Sequence, residues 1–79
     1  MLLKRMARRR RLLEQAWKHE STELAAVQET LAKLYWQLED TVDERLVDSI
    51  IYEIKSQEAK YDYHYQNIRL LEERTTVQG

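Results

Sequence analysis

From Leu3 to Leu38, apolar residues recur at alternating intervals of three and four: Leu3, Met6, Leu13, Trp17, Leu24, Val27, Leu31, Leu34 and Leu38. Only Arg10 and Glu20 interrupt the series. That period lays one narrow stripe along a helix, as in a coiled coil, and predicts a helix over about 3–39. Ala, Leu, Gln, Glu, Lys and Arg fill most other positions and are good helix formers. Glu14 with Lys18 and Glu29 with Lys33 add oriented pairs four residues apart. Ser21 and Thr22 mark the point where a break is the second expectation, because hydroxyl side chains compete for backbone hydrogen bonds.

A second stripe runs through Val47, Ile50, Ile54, Tyr61, Ile68 and Leu71, interrupted by Gln57 and His64. It predicts a helix over about 44–74, and Ile51 and Tyr65 broaden the face. Between the stripes, at about 40–43, the polar run Asp40-Thr41-Val42-Asp43 reads as a turn. Thr41 and Glu44 have the spacing of a capping box, and Asp43, Glu44 and Asp48 suit the positive end of a helix dipole. So short a connection forces the helices antiparallel. The fold class expected is all-α: one domain over 1–79, a two-helix hairpin resembling an antiparallel coiled coil.

The hairpin sets a register. Residues whose numbers add to about 83 stand level, so Glu20 faces His64 and Arg10 faces Glu73. Glu20 and His64 are thus the candidate buried polar pair, since a matched pair fixes register where a lone buried charge would be costly. Gln57 has no such match.

The two stripes leave large side chains over. Tyr35 and Trp36 on the first helix, and Tyr52, Tyr63 and Leu70 on the second, lie off the seams and are the candidate protein interface. A chain of 79 residues without cysteine has little core and no disulfide to reinforce it. Self-association is therefore expected, two hairpins forming a homodimeric four-helix bundle.

Charge changes the picture at one end. The net charge of −1 hides a cationic arm. Residues 1–18 carry Lys4, Arg5, Arg8, Arg9, Arg10, Arg11 and Lys18 against Glu14, a balance of +6. Arg5, Arg8, Arg9, Arg10 and Arg11 are the candidate phosphate-binding residues, which opens nucleic acid as an alternative partner. With Leu2, Met6 and Leu13 on one face and Lys4, Arg8 and Arg11 opposite, the arm also suits an anionic membrane surface, the third alternative. No base-reading motif accompanies the arginines.

Candidate chemistry is sparse. Without interior Gly there is no phosphate-cradling loop or nucleophile elbow. His19 and His64 lack the carboxylate three residues earlier that bundle metal sites use. No catalytic, metal or cofactor site is expected, and the protein reads as a non-enzyme. No apolar run approaches a membrane span, and no signal-peptide core follows the basic start, so a cytoplasmic location is expected.

The stretch from Asp43 to Tyr63, DERLVDSIIYEIKSQEAKYDY, resembles the YaaL-like family of small uncharacterised bacterial proteins. The likeness rests on Leu46-Val47-Asp48, Ile51-Tyr52, Glu58-Ala59-Lys60-Tyr61 and Tyr63. It implies a small cytosolic helical protein, adds no catalytic residue, and lends some weight to an association with nucleic acid.

Overall fold

The computed structural model describes residues 2–77, and these form two α-helices: α1, Leu2–Asp40, and α2, Glu44–Val77. The helices pack along one another with no strand among the described residues, giving a hairpin 63 Å long and about 15 Å across. The boundaries at the turn fall within one residue of those expected from the apolar pattern, and α2 runs three residues further than its stripe suggested. α1 passes through Ser21 and Thr22 unbroken. There the Thr22 hydroxyl donates to the carbonyl of Lys18 (2.9 Å), so it shares an acceptor inside the helix instead of diverting the chain.

Thr41, Val42 and Asp43 make the whole connection. The capping box expected of Thr41 and Glu44 does not form. Thr41 instead closes α1: its hydroxyl donates to the Gln37 carbonyl (2.5 Å) and its N–H to the Leu38 carbonyl (3.4 Å). Asp43 takes the N-cap role, its Oδ1 accepting from the Arg45 N–H and its carbonyl from the Val47 N–H, both at 2.9 Å. Asp43 is one residue from α2, whereas Thr41 is still within reach of the last carbonyls of α1. No described residue has positive φ. Thr41 therefore satisfies the last carbonyls of α1 without the glycine that often stands there.

Among the described residues only Val27 and Ile54 are buried, each 6% exposed, and they mark the middle of the seam. Leu13, Leu24, Leu31, Leu34 and Leu38 on α1, with Val47, Ile50, Tyr61, Ile68 and Leu71 on α2, are half-buried around them. The expected α1 stripe fails toward the open end. Leu3, Met6 and Arg10 are exposed, and Trp17 gives way to Ala16 as the less exposed residue. A straight helix drifts by about 20° per seven residues against a strict heptad, which carries Trp17 off the seam. Leu3 stands beyond the level of Val77, where α2 ends. No helix among the described residues is long and apolar enough to cross a membrane.

Candidate interaction surfaces and the polar pair in the seam

Glu20 and His64 meet across the seam. His64 Nδ1 lies 2.6 Å from Glu20 Oε2, and each side chain is 15% exposed, so the pair is shielded rather than sealed from water. A carboxylate can only accept, hence Nδ1 carries the proton and donates. That hydrogen bond is the main reason the Glu20 carboxyl sits below its ordinary value of 4.5. Burial opposes the shift, while the Asn67 amide, one turn beyond His64, and the charges of His64 and His19 assist it. Asn67 gave no sign in the apolar pattern; only its place three residues after His64, on the same side of α2, could have exposed its part. The Tyr63 ring meets the His64 ring edge-on at 5.1 Å and helps fix it.

Arg10 and Glu73 behave otherwise. Both are exposed, and no ion pair joins them among the described residues. They lie near the open end, where long solvated side chains gain little by ordering. Gln57 is half-buried close to the level of Val27.

The five candidate interface residues do not share one face. At 100° per residue, Trp36 points about 180° from Val27, straight away from the seam, while Tyr52, Tyr63 and Leu70 point within about 20° of the direction opposite Ile54. The backs of two packed helices face opposite ways. Trp36 (75% exposed) thus stands on one side of the hairpin, and Tyr52 (74% exposed), Tyr63 and Leu70 on the other. Tyr35 belongs to neither: its hydroxyl donates to Glu58 Oε1 at 3.4 Å, across one edge of the seam.

That edge holds a surface the apolar pattern did not single out. Trp17 and Tyr35 are five full turns apart on α1 and so point the same way. On α2, Glu58 stands seven residues from both Ile51 and Tyr65, in one column. The bond from Tyr35 to Glu58 puts both columns on the same edge of the hairpin. Trp17, Tyr35, Ile51 and Tyr65 are between 37% and 48% exposed there, and Tyr65 stacks on Tyr61 with ring centres 6.1 Å apart.

Arg5, Arg8, Arg9, Arg10 and Arg11 are all exposed on the first turns of α1. The described residues contain no group of three His, Cys, Asp or Glu side chains able to hold a metal ion. Compared with family models, curated proteins and solved structures, the chain matches none.

Proposed function

We propose that this protein is a small, non-catalytic helical interaction and scaffolding protein of the cytoplasm that self-associates as a four-helix bundle. One observation carries the reading. A compact monomer of this mass exposes about 5,100 Å², whereas the hairpin exposes 7042 Å². The excess, about 1,900 Å², is more than the roughly 800 Å² each partner contributes to a standard interface. Among the described residues fourteen large hydrophobic side chains are exposed against two buried, so the apolar material for such an interface is present. With the bundle closed by coiled-coil-like packing, Tyr52, Tyr63 and Leu70 remain on the outside for a protein partner. The likeness of residues 43–63 to the YaaL-like family agrees with a small cytosolic role.

Sedimentation equilibrium tests the assembly: the expected mass is about twice 9.6 kDa at micromolar concentration, and a monomer throughout rejects the reading. Tyr52→Ser with Tyr63→Ser is expected to leave helicity intact while lowering partner retention or higher assembly. Unchanged mass and unchanged retention would reject the outer stripe.

The exposed Arg5 and Arg8–Arg11 favour a second reading, phosphate binding to nucleic acid. It predicts DNA or RNA affinity that falls steeply with salt and vanishes without residues 1–11. Attachment to an anionic membrane surface by residues 1–13, with Leu2, Met6 and Leu13 toward the lipid, is the third, tested by vesicle flotation.

A further inference from the structure

α1 is charged against its own dipole at both ends. Its first turn has no acid and its last turn no base. Lys4 and Arg5 stand where the backbone is already positive, and Glu39 and Asp40 where it is negative. α2 relieves neither end. At the turn the connection adds Asp43, and α2 adds Glu44 and Asp48 against Arg45, so residues 39–48 balance at −4. At the open end Arg69 and Arg74 cancel Glu72 and Glu73, leaving the arm at +6. The molecule is a rod 63 Å long, positive at one end and negative at the other.

The aromatic edge has a matching symmetry. With the Glu20–His64 bond marking the register, residues whose numbers add to about 84 stand level. Trp17 then lies near the level of Tyr65, and Tyr35 near that of Ile51. The edge therefore carries two clusters, each with one aromatic from α1 and one apolar residue from α2, about 24 Å apart. A two-fold axis midway, level with Glu58, would bring each cluster onto the other cluster of a second copy. Along the rod, that axis is about 25 Å from the middle of Arg8–Arg11 and about 21 Å from Glu39–Glu44. The mismatch is within the reach of an arginine side chain.

We propose that a second copy docks antiparallel on this edge, Trp17 and Tyr65 against the partner's Tyr35 and Ile51, with each cationic arm lying over the other chain's acidic turn. The proposal rests on the self-association above and adds its orientation, its surface and an occupant for the arm. A parallel pair would set +6 beside +6 at an interhelix spacing of about 8–10 Å, close to the screening length at physiological salt. The antiparallel pair also places each end of α1 beside the oppositely charged end of its copy. Two Glu58 carboxylates approach at the axis, each drawn toward Tyr35 by its hydroxyl, so Glu58→Gln should tighten the pairing.

The chain has no cysteine, which permits a clean test. Single-cysteine chains Arg10→Cys, in the Trp17 column, and Val42→Cys are mixed and treated with a bismaleimide spanning about 10 Å. Bridging between 10 of one chain and 42 of the other is expected, with little 10-to-10 product. Arg9→Glu with Arg10→Glu, the arginines nearest the Trp17 column, should weaken self-association at least about tenfold, and mixing with a Glu39→Lys, Glu44→Lys chain should restore a heterodimer. Trp17→Ser with Tyr35→Ser should also weaken it, helicity being followed by circular dichroism. Preferential 10-to-10 bridging in a particle of dimer mass overturns the orientation and leaves self-association standing. A monomer overturns both. A dimer indifferent to arm reversal, whose arm retains nucleic acid, overturns the arm's assignment.

Discussion

At the scale of single residues, the Glu20–His64 pair ties chemistry to register. The depressed Glu20 carboxyl binds its proton more weakly in the folded chain than in the unfolded one. Its contribution to stability is therefore fully present above pH 4.5 and is lost as pH falls through the lower folded value. Urea midpoints measured between pH 3 and pH 7 (about four units of range) should drop at the acid end. Glu20→Gln should flatten that drop while lowering the plateau near neutrality by about 1–3 kcal/mol, since His64 loses an anionic acceptor. The meeting of these two residues was readable from number matching, because both interrupt apolar stripes at one height. Asn67 was not, since a polar residue beside a seam looks like any solvated position until the partner helix is in place.

Among the elements, the two helices were legible because long amphipathic periodicity is the strongest local signal and no glycine or proline contradicts it. The caps were less so. Thr41, Asp43 and Glu44 each suit an N-terminus by type, and only the path of the turn decides which carboxyl or hydroxyl reaches which orphan group. Asp43→Ala should cost about 1 kcal/mol in chemical unfolding. Glu44→Ala should cost less, because no capping-box bond runs through it. Equal losses at both positions would mean that Glu44 caps as well. Helix direction also explains why the five off-seam residues did not make one surface: Trp36 on α1 and Tyr52, Tyr63 and Leu70 on α2 all point away from the seam, which on two packed helices puts Trp36 on the side opposite the other three, while Tyr35 stands at the edge.

For the whole molecule, the dominant fact is shape. A Cα radius of gyration of 18.1 Å compares with about 12 Å for a compact chain of this length. The apolar pattern foretold the hairpin but not the polarity of the rod, because total charge conceals how folding gathers acids at the bend and bases at the opening. The bend itself has a further consequence. Thr41, Val42 and Asp43 all keep negative φ, and a few hydrogen bonds hold them. Turning those residues helical would join α1 to α2 in one straight shaft of about 114 Å, and two shafts could then exchange halves. The tip residue, Val42, is 93% exposed and contributes almost nothing to either form by packing. Helix propensity is what its side chain still contributes, so Val42→Gly should hold the chain folded back and Val42→Ala should favour the exchanged shafts. Small-angle scattering separates the outcomes by maximum dimension: short rods are expected of the glycine variant, and a share of long ones that grows with concentration of the alanine variant.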